Sequence, residues 1–243
     1  MVTKRVTPSM NSVPPVQPGD TVEFESGRYY WRLFPQPEIT YVGLGDVVFD
    51  IQDQDIGGSA GVVHVYEDVY GVILQNIQAA NAGGIPYLTD PDNGRGSVGF
   101  SIWGTNIQMY DIKTKHTGGS GIWVGASAKI IVADGIDIDD ACYCGSNEGI
   151  SLGGSCEDVE MSNGYLHDFQ ISFKDPWTPP SGVPKEGIDC KSGVKRAKFH
   201  DFRIVGVRTG CYVDGWNNSC EDIEFHRIIA ENCWEHSFRV SAE

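Results

Sequence analysis

The chain has 243 residues, 30 of them glycine, and a formal net charge of −15. No run of 18 or more apolar residues exists to span a membrane as a helix. The acidic balance argues against a nucleic-acid partner, which needs clustered Lys and Arg, and requires a cation or a local basic patch wherever an anionic polymer is to be held.

The first twenty residues, "MVTKRVTPSMNSVPPVQPGD", read as an N-terminal extension or cap over residues 1–20. Basic residues are present there, but no apolar stretch of a secretory leader follows them. The compartment stays open, and an extracellular or surface place is favoured. The seven cysteines are an odd count, so at least one thiol is free or pairs between chains.

Beyond the opening the chain repeats. Six segments align without gaps, starting at Val72, Ile107, Ile130, Val159, Ala197 and Ile223, with 23 to 38 residues between starts. Their first and third columns are wholly apolar, and the second and fourth are mostly polar, as alternation in a half-buried strand requires. The fifth column reads Asn76, Asp111, Asp134, Asn163, Asp201, Arg227. Asn and Asp tolerate the left-handed conformation, so this column predicts one bend per coil. A second ladder precedes each unit: "GIWV" from Gly121, "GISL" from Gly149, "GIDC" from Gly187, "GCYV" from Gly210 and "HSFRV" from His236. Stacked coils of this kind predict an all-β fold, a single parallel β-solenoid of about seven coils covering residues 1–243. The chain stops at "FRVSAE", straight after a repeat strand and without a C-terminal cap, so the expectation is either a truncated chain or a further chain or partner covering that end.

The opening "PGDTVEFESGRYYW" with "ITYVGLGDVVFD", and the Asn/Asp column, resemble the pectate-lyase-like superfamily of right-handed parallel β-helix proteins. That resemblance implies a single-stranded right-handed β-helix. It leaves activity open among lyases, hydrolases, epimerases and non-enzymatic adhesins.

In the second ladder Ile122, Ile150, Ile188, Cys211 and Phe238 are expected to face inward. Trp123, Ser151, Asp189, Tyr212 and Arg239 then face outward. Ser120, Glu148, Glu186, Thr209 and His236 form an outward column before them, and Gly125, Gly153, Lys191, Asp214 and Ser241 one after. Carboxylates, a lysine and aromatic rings on one sheet suit a polysaccharide groove. Equally, a solvated sheet carries such charges as cross-strand ion pairs. On the other sheet, Glu160, Lys198 and Glu224 with His200 and His226 read as a structural face. Cys190 with Cys211 and Cys156 with Cys220 read as buried thiols too far apart to bridge, whereas Cys142 and Cys144 have no assigned role.

Glu186 lies five residues before Lys191-Ser192, and "RTG" follows from Arg208. This is similar to the chondroitinase-B and alginate-lyase family. The resemblance implies β-elimination on a uronate-containing glycan, with Lys191 as base of lowered pKa and Arg208 as acid or electrophile. It also implies calcium held by Glu186, with Asp189, Glu148 and Asn147 completing the site. Pro184 stands where that family has a second acidic ligand. Trp123, Tyr212, Asp214 and Arg239 are the candidate substrate-binding residues. Two further readings stay open: a non-catalytic adhesin, tailspike or assembly subunit, and a glycoside hydrolase using Glu148 and Glu186.

Overall fold

The computed structural model describes residues 1–85, 95–144, 148–169, 186–215 and 219–241. Among them there is no α-helix, and nearly every strand pairs in parallel. A ten-stranded sheet holds the long strands Thr105–Thr117, Lys129–Ala141, Glu157–His167, Lys195–Val205 and Glu221–Glu231 in succession. A seven-stranded sheet stacks the short strands Gly61–Val65, Val98–Ile102, Ile122–Val124, Ile150–Leu152, Glu186–Cys190, Thr209–Asp214 and His236–Ser241. The chain visits the sheets alternately, so each circuit adds one rung to both, and the fold is a parallel β-helix. The one antiparallel pair is the two-residue contact of Gly84–Ile85 with Arg95–Gly96.

The apolar columns meet inside. Val72, Ile107, Val159 and Ala197 share one register with Ile223. The third segment enters one residue later than the gapless alignment places it. Ile131, and not Ile130, pairs with Ile107, and Ile130 is exposed at φ 57°. The bend column shifts with it. Asn76, Asp111, Asn163, Asp201 and Arg227 all have φ between 50° and 60°, and Gly135, not Asp134, takes that place in the third coil at φ 72°. Glycine reaches this region without steric cost, which frees Asp134 to accept hydrogen bonds from Ser162 Oγ and Asn163 Nδ2, both at 2.6 Å.

At the N-terminal end the strand Thr3–Val6 pairs with Thr21–Tyr29, and Trp31 Nε1 donates to the Met10 carbonyl at 2.8 Å. The opening residues therefore cover the first coil. At the other end Phe238 and Val240 occupy the inward register of Cys211 and Val213, yet both are exposed, as is Trp234. All seven cysteines are free thiols, five of them buried.

Candidate active site on the seven-stranded sheet

One outward column runs the length of this sheet. Strand pairing places His64, Ser101, Trp123, Ser151, Asp189, Tyr212 and Arg239 side by side on seven successive rungs. Neighbours are about 4.8 Å apart, the spacing of paired strands. Residues from 22 to 38 positions apart in sequence thus become neighbours in space.

The carboxylate of Glu186 joins this face although it lies three residues before Asp189, an odd spacing that simple alternation forbids. The glycine between them explains it. A Cβ on Gly187 would fall 2.5 Å from Ile204 Cγ2, inside the core. Gly187 and Ile188 therefore both turn inward, and Glu186 is left on the outer side. The same holds along a glycine column: Cβ atoms on Gly121, Gly149 and Gly210 would meet Ile138, Leu166 and Ala230.

The result is a tight acidic cluster. Oxygens of Glu148, Glu186 and Asp189 lie within 4.8 Å of one another. The three residues are only 7%, 4% and 3% exposed. Lys191 closes the group: its Nζ pairs with Glu148 Oε1 at 3.1 Å and with Asp189 Oδ2. Beneath it, the Cys142 thiol donates to the Glu148 carbonyl at 3.3 Å. Asp189 Oδ1, Ser151 Oγ and Trp123 Nε1, on three consecutive rungs, are buried without a hydrogen-bond partner among the described residues.

Burial pushes the Asp189 carboxyl up, to about 6. Lys191 opposes that shift, and Glu148 and Asp214 add to it. For Lys191, burial alone favours loss of the proton, but the charges of Glu148 and Asp189 and their hydrogen bonds outweigh it and raise the pKa above that of a free lysine. A lysine held in this way stays protonated. The expectation of a base with lowered pKa is corrected for that reason.

The structure brings together Glu148, Glu186, Asp189 and Lys191, with Asp214 close enough to act on Asp189. Arg208 does not join them. It precedes Thr209, which pairs with Glu186, whereas Lys191 is level with Asp214, about 20 Å further along an extended strand. Arg208 Nε instead faces Glu235 Oε1 at 3.5 Å. The site is also more buried than the open groove expected from the column pattern. Tyr212 is no free platform, because the Arg239 guanidinium covers its ring at 5.4 Å and its hydroxyl donates to Ser241 Oγ at 3.0 Å. Ser241 Oγ in turn donates to Asp214 Oδ1 at 3.3 Å. Trp123 keeps its place in the column, half-buried. Asn147 lies outside the described residues.

Sequence reasoning missed the first two rungs of this sheet. "GVVHV" and "VGFSI" carry the alternation, and the second also carries the ladder glycine at Gly99. They bring His64, Tyr66 and Trp103 onto the same face.

No family model matches the chain, and no curated protein does. Solved structures do. PfbA, a surface adhesin of Streptococcus pneumoniae, aligns at TM-score 0.54 and 11% identity over 90% of this chain and 68% of its own. An alginate lyase from Paenibacillus sp. str. FPU-7 aligns at TM-score 0.51 and 14% identity over 99% of both chains. Pectate lyase Pel9A aligns at TM-score 0.46 and 13% identity over 100% of this chain and 79% of its own. The chain shares the parallel β-helix fold with the adhesin and the alginate lyase. At these identities the likeness concerns the fold.

Proposed function

We propose that this protein is a carbohydrate-active β-helix protein. In this reading it holds a polysaccharide along the outward face of the seven-stranded sheet and cleaves it by carboxylate acid–base chemistry at Glu148 and Asp189. The observation that carries this is the cluster itself: carboxylates on neighbouring coils within 4.8 Å, one of them with its pKa raised to about 6. A carboxyl whose pKa is raised to about 6 beside a second carboxylate suits glycosidic hydrolysis in mildly acidic solution. One protonates the leaving oxygen while the other attacks or stabilises the sugar cation, and retaining enzymes place the two about 5 Å apart. Asp189 is the proton donor in this reading and Glu148 its partner. Lys191 supplies the fixed positive charge that lets the carboxylates sit so close. Its side chain is a third exposed, so substrate approaches over Lys191.

A second reading is β-elimination on a uronate with calcium. The all-oxygen donor set suits a hard cation, and buried, unpartnered Asp189 Oδ1 is a ready ligand. Glu148, Glu186 and Asp189 would hold the ion, which would neutralise the uronate carboxylate. Lys191 would first have to leave Glu148 and Asp189.

Incubation with a panel of neutral and uronate-containing polysaccharides, with and without chelator, separates the readings. Hydrolysis gives new reducing ends that survive chelation, and Asp189→Asn lowers the rate about 10²–10⁴-fold. Chelator-sensitive release of unsaturated uronate replaces the hydrolytic reading with the second. Retention on a polysaccharide gel without any product leaves a binding protein and overturns both.

A further inference from the structure

The strand Glu221–Glu231 is the outermost of the ten-stranded sheet. It pairs with Lys195–Val205 on one side, and among the described residues no strand pairs with its other side. Its backbone edge is open there. So is its inner face. On the rung before, Ala197, Phe199, Phe202 and Ile204 are at most 1% exposed, whereas Ile223, Phe225 and Ile228 in the same columns are only partly buried. On the facing sheet Phe238 and Val240 are 50% and 72% exposed. The rings of Phe199 and Phe225 stack with centroids 5.3 Å apart, and Phe238 meets Phe225 edge-on at 5.9 Å. An aromatic row that is covered on every earlier rung thus ends in the open, and contiguous apolar surface of this kind marks an interaction site.

The charges say what fits over it. Outward columns of this sheet alternate in sign from rung to rung. One runs Lys129, Glu157, Lys195, Glu221, with ion pairs at 2.9 and 3.1 Å; another runs Glu160, Lys198, Glu224. On the outermost rung four acids, Glu221, Asp222, Glu224 and Glu231, stand against one arginine, Arg227. One rung further, the alternation asks for a cation opposite each acid and an acid opposite Arg227. A second copy of the chain does not supply this. Related by a two-fold axis, it sets acid against acid. Stacked head to tail, it presents Thr3–Val6, and the register followed from Phe225 back through every rung ends at Lys4, so a lysine would enter the apolar column.

We propose that the open edge of Glu221–Glu231 docks an extended segment of another protein in which basic and apolar residues alternate. The segment adds as one more parallel strand, like every neighbour already in the sheet. Its backbone takes the free N–H and C=O groups, which give affinity, and its side chains give specificity. The apolar ones turn inward over Ile223, Phe225 and Ile228 and against Phe238. The lysines or arginines turn outward to Glu221, Asp222, Glu224 and Glu231, where charge complementarity sets the register. This edge belongs to the other sheet from the acidic cluster, and the proposal rests on no part of the reaction proposed there.

Fluorescence anisotropy with the full chain tests this. The probe is a labelled peptide of 11 residues, the length of the strand it would pair with. It carries lysine opposite the four acids, valine opposite Ile223, Phe225 and Ile228, and aspartate opposite Arg227. One control has the same composition in scrambled order, and another has glutamate in place of every lysine. The ordered basic peptide is expected to bind at least about tenfold more tightly than either control, and to weaken as salt is raised. Glu224→Lys should weaken it about fivefold and strengthen the glutamate peptide, the exchange expected of an exposed charge pair. Phe238→Ser should weaken the basic peptide without reversing that preference. Circular dichroism checks that each variant is folded. Equal binding of the scrambled peptide, binding of no peptide, or a preference that Glu224→Lys leaves unchanged overturns the proposal. A dimer of the chain alone in sedimentation velocity, dissolved by Phe238→Ser, overturns it in favour of a second copy.

Discussion

Asp189 and Asp201 sit on one coil of the solenoid, one on each sheet, and their carboxyls are driven in opposite directions. Asp201 accepts both donors of Arg227, at 2.5 and 2.6 Å, and Nδ1 of His200 at 2.8 Å, in the open. These hydrogen bonds, Arg227's first, hold its carboxyl well below the usual range. Asp189 has one cation shared with Glu148, and burial raises it to about 6. The ten-stranded sheet carries its charges outward as a ladder: Lys129 with Glu157, Arg196 with Glu157 and Asp158, Arg203 with Glu231. The seven-stranded sheet encloses three carboxylates around a single lysine. The difference teaches that charge count does not distinguish a scaffold face from a chemical one; the ratio of desolvation to pairing does.

That comparison breaks most sharply at Lys191. Lys191→Met should destabilise the fold by about 2–4 kcal/mol by urea titration, because two buried carboxylates lose their partner. The figure is below that of a fully buried pair because the ammonium is a third exposed. An unchanged midpoint would mean that the cluster is hydrated and the contrast false.

Next is pH. The folded Asp189 value of about 6 exceeds the unfolded value of about 3.9, so between them the folded chain binds the extra proton. Stability should therefore rise as pH falls from about 6 to about 4, by on the order of 2–3 kcal/mol, and Asp189→Asn should flatten that slope. Asp201 has the opposite sign: its contribution is present above the unfolded value and lost as pH falls below it. Measured urea midpoints that fall steadily from pH 6 to pH 4 would reverse the assignment.

Gly187→Ala should cost about 1–3 kcal/mol, since the new methyl meets Ile204 Cγ2 at 2.5 Å and the Gly210 carbonyl at 2.7 Å. It should also shift the apparent pKa of Asp189, because the strand can no longer turn Glu186 to the same side. On the other sheet Arg196→Ala, which removes an exposed bridge to Glu157 and Asp158, should leave the urea midpoint where it is.

The solenoid was legible because its signal is columnar. Inward Ile122, Ile150 and Ile188 each follow a glycine, and the pairing register is the one those motifs predict. The ten-residue units were nearly as clear, failing by one residue where Ile130 and Ile131 offer equal apolar choices and only the bend at Gly135 decides between them. The site was half legible. Outward parity located Asp189 and Lys191, because parity is local. Arg208 was misplaced because its spacing along the chain says nothing about distance along the strand. The charge state of Lys191 was invisible, since it depends on Glu148, 43 residues earlier in the sequence. His64, Tyr66 and Trp103 were missed because the first coils carry the ladder pattern less regularly than the later ones.

The glycine column has a consequence for how such a molecule can change. On an ordinary strand, groups that share a face are even-numbered neighbours, and their separation is fixed by the pleat. A glycine that lets two consecutive residues turn inward works as a parity switch, placing Glu186 and Asp189 on one face at an odd spacing. The position three residues before the column holds Glu148 and Glu186 on two rungs and the uncharged Ser120 and Thr209 on the rungs either side of them. Exchange of a single side chain at such a position would add or remove an acid from the face without touching the core, so chemistry could be rewritten rung by rung while the scaffold stays still.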